Sequence, residues 1–331
     1  MSDSNLFAQQ ASNRRKSAWL VFGFLAFCAW VGFAGDYGLY LYTRALPASE
    51  YHHVVPFIGM AITLVAGGYV WSAWRNGASK VLNASGAAEL ITAVTPEQRQ
   101  LENVVEEMAI AGGIPKPRIW IIPDPDPNAF ATGHDPATAS LAVTEGLLKV
   151  LDRDELQAVV AHEMSHIRNY DVRLMTLLAA LVGAVGLTSH VLLRMLRGTR
   201  IRGKAGAPVG IVVLVIWIVT LILAPIASAI LSMAVSRKRE YLADATGAQL
   251  TRNPLALAEA LQKVDAAPEA TRSIIRGAGH LCIVDPGERR LSEKAGFFGD
   301  LFASHPPIRL RVARLRGMSY LKPGVVEGGA A

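Results

Sequence analysis

The stretch AHEMSHIRNYD, residues 161–171, places two histidines four positions apart, with a glutamate directly after the first. Residues i and i+4 of an α-helix share a face, so His162 and His166 can direct their imidazoles at one point. Glu163 lies about 100° round the helix from His162, within reach of a water at that point. The pattern is typical of a metal site that activates water, although a solvated polar helix face can carry the same letters.

A catalytic zinc ion takes three protein ligands, and a site with two histidines gains a carboxylate or a further histidine. Residues 236–250, SRKREYLADATGAQL, offer Glu240 and Asp244, again four apart. Glu240 can complete the zinc sphere, while Asp244 can bind the second ring nitrogen of a ligand histidine. Such an acidic pair is more often a solvated helix face, but beside HEMSH it predicts a ligand and its partner.

The composition indicates an integral membrane protein. The chain has 331 residues, a formal net charge of +6 and a mean hydropathy of +0.30. Four segments approach the roughly 20 apolar residues that cross a hydrocarbon layer; they are residues 18–34, 54–74, 174–193 and 209–235. A basic cluster precedes the first segment as in a signal peptide, but the length of that segment favours an uncleaved anchor. No zinc knuckle or Walker loop occurs in the sequence, so no nucleic acid is predicted as a partner.

Basic residues indicate the orientation. Arg14, Arg15 and Lys16 precede the first segment, and Arg75 and Lys80 follow the second, so the soluble part is predicted to face the cytoplasm. The basic loop between the third and fourth segments opposes a full hairpin there; we favour the hairpin over a pair lying in the interface. We expect five regions: a loose cytoplasmic tail 1–16, a transmembrane hairpin 17–75, a first domain part 76–173, a second hydrophobic hairpin 174–235, and a second domain part 236–331.

The soluble segment before the motif predicts helix, strands and then helix. Residues 96–113 have helical apolar spacing and end in two glycines. Residues 117–124 and 140–148 contain short β-rich runs, and the stretch between them is rich in turn residues. Asp152 and Glu155 form a predicted capping box at the start of the motif helix. The fold class is therefore a mainly α membrane protein with an α+β domain and a small sheet.

Four motifs stand in one order: PNAFATG at 127–133, HEMSH at 162–166, SRKREYLAD at 236–244 and LFASHPPIRLRVARL at 301–315. Over nearly the whole chain they resemble the HtpX family of integral-membrane zinc metalloproteases, relatives of the CAAX prenyl protease. The resemblance implies a zincin-type (HExxH) domain with about four transmembrane helices. It also implies one Zn²⁺ per subunit held by His162, His166 and Glu240, with Glu163 as the catalytic general base.

The resemblance further implies that Asn128, Ala129 and Phe130 contact substrate, because an exposed edge strand can pair with an extended peptide backbone. An ordinary turn between strands is the alternative. His305 precedes two prolines that fix the local backbone; it can donate to an oxyanion, gate the site as a fourth ligand, or be a structural loop residue. Relatives often carry acidic residues after these prolines, whereas the letters here are IRL, so their substrate preferences do not transfer.

The implied function is hydrolysis of peptide bonds in misfolded or damaged membrane proteins, a role in protein quality control and the stress response. Its partners would be unfolded or membrane-protein substrates and the lipid bilayer, in the bacterial inner membrane, with a multi-pass topology and a cytoplasmic catalytic domain; the oligomeric state stays open. A membrane scaffold that binds zinc structurally and a prenyl-protein-type protease remain alternatives. A zinc transporter would need ligands within the spans, where only His190 and Asp36 come near. His53, outside the membrane, has no partner carboxylate in view.

Overall fold

The computed structural model describes residues 3–44, 46–181, 237–267, 273, 281–284 and 305–319. Within these ranges the chain is mostly helical and carries one small mixed sheet. The fourth predicted hydrophobic segment, and the third beyond residue 181, lie outside the described residues.

Two long helices begin the chain, α1 (Asp3–Arg44) and α2 (Phe57–Ala84). Among the described residues, two stretches are long and apolar enough to cross a membrane, Ala11–Leu41 and Phe57–Ala84. They coincide with the first two predicted segments. The expected loose tail is helical from Asp3 onward, because a helix that has already nucleated extends through adjoining residues at little cost.

α1 and α2 pack closely at a pair of glycines and are joined by a buried acid. A Cβ atom on Gly32 would lie 2.7 Å from the Cα of Gly59, so only small residues permit this approach. Near that contact, Asp36 accepts hydrogen bonds from the backbone N–H of Ile58 at 3.2 Å and of Gly59 at 2.5 Å, at the start of α2. Asp36 also lies 2.6 Å from Nε2 of His53. The partner of His53, absent from its sequence surroundings, is therefore supplied by α1.

The sheet has the strand order β1-β2-β4-β3, where β1 is Ala88–Glu89, β2 Arg118–Ile122, β3 Ala129–Thr132 and β4 Ser140–Thr144. β2 and β4 are parallel, whereas the β1–β2 and β3–β4 pairs are antiparallel. β3 thus forms one edge of the sheet. This strand lies within the stretch rich in turn residues, where the family resemblance implied an edge strand and an ordinary turn was the alternative.

Six further helices lie among the described residues: α3 (Pro96–Gly112), α4 (Glu145–Val150), α5 (Arg153–Arg168), α6 (Arg237–Thr251), α7 (Pro254–Asp265) and α8 (Ile308–Ser319). The glycine stop of α3 is confirmed, since Gly113 adopts a left-handed φ of 63°. The capping box of α5 is confirmed as well, because Asp152 and Glu155 exchange side-chain-to-backbone hydrogen bonds. The order helix, strands, motif helix is as predicted.

The motif helix lies at the centre of the core. α5 packs against α3, α6, α7 and β3. The approach of α6 is close at Gly247, where an added Cβ would lie 3.1 Å from the backbone nitrogen of His162. A glycine here lets α6 lie directly on the metal-motif turn of α5.

The helical residues 171–181 follow α5 and contact α2. Tyr69 of α2 donates a hydrogen bond of 2.6 Å to the backbone oxygen of Ala180. A Cβ on Gly77 would lie 3.2 Å from Cγ2 of Thr176. The start of the third hydrophobic segment therefore packs on α2.

Candidate metal centre

The histidines of α5 point to one place, as their spacing predicts. The capping box at Asp152 fixes where the helix begins, and His162 and His166 then lie one turn apart on its buried face. Their Nε2 atoms are 3.2 Å from each other. Two imidazole nitrogens that converge in this way favour a shared metal ion over the solvated helix face that the sequence left open.

α6 brings the third predicted ligand to the same place. One carboxylate oxygen of Glu240 lies 3.5 Å from Nε2 of His166, and the other lies 3.8 Å from Nε2 of His162. Ligand atoms about 2.0–2.1 Å from a tetrahedral zinc ion are separated by about 3.4 Å. The three buried residues therefore fit a metal ion of this size, and their potential ligand atoms all lie within 4.8 Å of one another.

Each of the two histidines has a carboxylate next to its Nδ1 atom. Nδ1 of His162 lies 3.0 Å from Asp244, as the sequence predicted, and Nδ1 of His166 lies 3.2 Å from Asp171. A carboxylate beside each Nδ1 favours a ring proton there, so that Nε2 can offer its lone pair once a metal binds. The sequence analysis missed Asp171, although it closes the quoted stretch: it follows a turn in which Tyr170 has a φ of 60°, so helical spacing gave no signal for it.

The first membrane helix reaches this centre. Asn13 of α1, which is 2% exposed, donates hydrogen bonds to Asp171 at 2.6 Å and to the backbone oxygen of Asn169 at 3.0 Å. A continuous path of contacts thus runs from α1 through Asp171 to His166. No local pattern in the sequence points to it, because the partners are more than 150 residues apart.

Arg311 of α8 is a further residue that the sequence analysis missed. Its side chain is fully buried and donates to both oxygens of Asp244, at 2.9 and 2.7 Å, and to the backbone oxygen of Ile283 at 3.0 Å. It also lies 3.7 Å from Glu240. One guanidinium therefore balances two of the buried carboxylates and holds the carboxylate that orients His162.

The buried charges of the metal centre shift the pKa values of its side chains. Burial alone would raise the pKa of Asp244, but Arg311 and His162 lower it to about 2. Burial likewise opposes ionisation of Glu240, yet its pKa lies well below the usual range because of His305, His166 and Arg311. Burial would lower the pKa of His166, but Asp171 and Glu240 raise it to about 9. A metal ion must therefore displace a proton from His166 at neutral pH.

Glu163 lies beside the three potential ligands without joining them. Its carboxylate accepts a hydrogen bond of 2.9 Å from the backbone N–H of Ala131 in β3. Burial raises the pKa of Glu163 to about 7, above the usual range of a carboxyl group. A carboxylate with a pKa near neutrality can both accept and return a proton.

His305 is also brought to the centre. Its side chain is buried, and its Nδ1 lies 3.1 Å from Glu240. This position is compatible with both the oxyanion and the gating hypotheses, since each needs the imidazole near the ligands. The distinction between them stays a prediction.

The predicted substrate strand is less open than expected. The side chains of Asn128, Ala129 and Phe130 are at most 1% exposed. At the outer edge of β3 the backbone oxygen of Ala129 accepts a hydrogen bond of 2.9 Å from Ile283, and Phe130 forms an antiparallel bridge with Cys282. Asn128 donates to the backbone oxygen of Val284 at 3.0 Å. Part of this edge is therefore paired with the chain itself.

Comparison with known proteins decides the family. The profile of Peptidase family M48 matches residues 95–319. The chain belongs to this family. "Protease HtpX homolog" from three strains of Streptococcus pneumoniae, Hungary19A-6, R6 and Taiwan19F-14, is in each case 38% identical over 320 residues, which is 95% of this chain and 100% of the relative.

The match also confirms the resemblance to HtpX. The protein is accordingly a membrane metalloprotease of the M48 family: it uses a metal cofactor, acts on protein substrates and resides in a lipid bilayer. Two candidate membrane helices, α1 and α2, lie among the described residues. Among the described residues, His162, His166 and Glu240 form a group that could hold this metal.

Proposed function

We propose that the protein is a zinc-dependent endopeptidase that cuts unfolded or damaged membrane proteins at segments next to the membrane. The observation that carries this proposal is the convergence of the Nε2 atoms of His162 and His166 with the Glu240 carboxylate, beside a second buried glutamate, Glu163. Two imidazoles and one carboxylate form a ligand set that leaves a position open for substrate.

Zinc is the metal that this donor set suits best, with one ion per subunit. When bound, it would polarise the peptide carbonyl and lower the pKa of the attacking water. Asp244 and Asp171 would keep the two imidazoles in the tautomer that ligates through Nε2. Arg311 would keep Asp244 ionised for that task.

Glu163 is proposed as the general base. It would take the proton of the attacking water and then pass it to the leaving nitrogen. Its fixed position, held by the N–H of Ala131, supports both transfers. The same hydrogen bond ties the base directly to the edge of β3, which is the proposed substrate strand.

The substrate is proposed to extend the sheet at β3. Ala129 and Ala131 present outward backbone groups beside Glu163, and recognition through backbone hydrogen bonds would tolerate varied side chains. Asn128 and Phe130 would support the strand from within the core, since their side chains are buried. Because the oxygen of Ala129 is bonded to Ile283, a substrate would have to displace residues 282–283.

The membrane hairpin sets the proposed location. The basic residues at 14–16 and at Arg75 favour a cytoplasmic catalytic domain in a bacterial inner membrane, with a multi-pass topology. Substrate segments emerging from that membrane would reach β3 without full extraction. Removal of damaged proteins under stress is the physiological role that follows.

A structural zinc site in a scaffold is the second candidate, favoured by one observation. His305 lies 3.1 Å from Glu240, close enough to close the metal sphere. The two candidates differ in what happens when His305 is removed. If it is only a gate or an oxyanion donor, an open metal position and an intact base remain.

The test uses full-length protein in detergent, stripped with a chelator and reloaded with zinc, and an unfolded membrane protein as substrate. We expect cleavage that is lost on stripping and returns with one equivalent of zinc, and fragments that map next to the substrate's membrane segments. His305→Ala should keep its zinc. If the wild type holds zinc but does not cut, and His305→Ala loses its zinc, the scaffold is correct.

A further inference from the structure

A cavity of about 370 Å³ lies between α2, the loop after β3 and the helical residues 171–181. It lies away from the metal ligands and takes no part in the proposed peptide hydrolysis. Its size falls in the range of small-molecule sites, about 300–1,000 Å³. Its lining includes three arginines, a histidine and a serine: Arg75, Arg118, Arg173, His134 and Ser79.

The charge of this cavity is strongly positive. None of the described residues that line it is acidic. The neighbouring Asp135 is engaged in its own turn, where its carboxylate accepts hydrogen bonds from the N–H and the hydroxyl of Thr138, at 2.9 and 3.0 Å. Three guanidinium groups therefore line a cavity whose described lining has no carboxylate, which favours an anionic ligand.

Arg173 is placed to bind such a ligand. Its guanidinium lies 4.2 Å from the centroid of the Trp74 ring, which fixes the group beside the cavity. Its Nε is buried and has no hydrogen-bond acceptor within the described part of the chain. A buried donor without an acceptor is costly, and an anion in the cavity would supply one. The ring of His134 packs edge-on against the same Trp74, with the two ring centroids 4.2 Å apart, and offers a further hydrogen-bond donor.

The position of the cavity along α2 points to the membrane surface. α2 has 28 residues, so it is about 42 Å long, whereas a hydrocarbon layer of about 30 Å takes roughly 20 of them. The turn that carries Trp71, Trp74 and Arg75 then lies where tryptophans and arginines meet lipid headgroups. Trp71 is 64% exposed, as a residue of an aromatic belt would be.

We propose that this cavity binds the phosphate headgroup of an anionic lipid. The headgroup would contact Arg173 inside the cavity and Arg75 and Arg118 at its rim. Thr176, in the cavity wall, accepts a hydrogen bond of 3.0 Å from the N–H of Gly133 directly after β3. The bound lipid would thus brace the end of the strand beside Glu163. The proposal relies on α2 spanning the membrane and not on the proposed peptidase activity.

The experiment titrates full-length protein in detergent with phosphatidylglycerol and, in parallel, with phosphatidylcholine, and counts bound lipids by native mass spectrometry. We expect saturable, preferential binding of phosphatidylglycerol. Because each basic residue near an anionic surface contributes about 1 kcal/mol, Arg173→Gln should weaken binding about fivefold or more. Ser79→Asp, at an exposed position of the lining, should weaken it similarly without disturbing the fold.

The matched control is Arg15→Gln, which removes an exposed basic residue of α1 at the same side of the hairpin but outside the cavity. Its binding should stay within about twofold of the wild type. Equal loss in Arg15→Gln and Arg173→Gln would mean diffuse attraction to basic charge and overturn the proposal. Displacement of the lipid by millimolar inorganic phosphate would assign the site to a soluble anion, and displacement by an acidic peptide would assign it to substrate; either result also overturns it. Since the readout is lipid binding, it is independent of whether the protein cuts peptides.

Discussion

Replacing Arg311 with methionine tests how the metal centre is held together. The guanidinium is fully buried and donates two hydrogen bonds to Asp244, at 2.9 and 2.7 Å. Methionine fills much of the space but leaves Asp244 as a buried charge with its main partner gone. Breaking a buried ion pair in this way costs about 3–5 kcal/mol, against a total stability of about 5–15 kcal/mol for a typical protein.

The assay is thermal unfolding of detergent-solubilised, metal-free protein followed by intrinsic fluorescence. A change of 1 kcal/mol shifts the Tm of a domain of 150–250 residues by about 2–4 °C, so Arg311→Met should lower it by about 6–20 °C. Arg316→Met is the matched control, since Arg316 is exposed on the same helix and should change stability by no more than about 0.5 kcal/mol.

The double variant Arg311→Met with Asp244→Leu separates stability from metal binding. Removing both charges should recover most of the lost stability, because a buried ion pair replaced by apolar residues is often neutral. Zinc affinity, measured by chelator competition, should nevertheless fall about 10–100-fold, since His162 has lost the acceptor for its Nδ1. A drop below about 2 °C in the single variant, or a double variant as unstable as the single one, would refute this reasoning.

Three further substitutions test other contacts. Asn13→Leu removes the donor to Asp171 and should weaken zinc binding about tenfold, as measured by chelator competition. An unchanged zinc affinity would mean that α1 does not support the metal centre. Asp36→Ala removes the acceptor at the start of α2 and leaves His53 without its acid, so the Tm of the full chain should fall by several degrees, corresponding to about 1–2 kcal/mol for the cap alone; a Tm equal to the wild type would contradict that role. Ile283→Pro removes the N–H that occupies the edge of β3, so kcat/KM for an extended peptide should rise severalfold, and a fall would mean that residues 282–283 support the strand.

Local patterns predicted the parts of the fold that depend on neighbouring residues. The i, i+4 histidines and the capping box of α5 follow from helix geometry, so His162 and His166 converge as expected. The approach of Glu240 followed from the chemistry of a three-ligand site and from the family resemblance. In each case the residues themselves carried enough information.

The missed contacts join residues that are distant in the chain. Asn13 and Asp171 are 158 residues apart, and Arg311 and Asp244 are 67 apart. Isolated polar residues of this kind carry no periodic signal, and only the packing of α1 and α8 against the centre gives them a role. The pairing of residues 282–283 with β3 escaped prediction for the same reason, because an edge strand in a sequence does not reveal what covers it.

The proposed base offers the most direct test of the account. Full-length wild type and Glu163→Gln would be loaded with zinc, their metal content measured, and both incubated with the same unfolded membrane protein. The account predicts one zinc ion in each protein and cleavage by the wild type alone, because glutamine keeps the shape of Glu163 but cannot accept the proton. Cleavage at a comparable rate by zinc-loaded Glu163→Gln would contradict it.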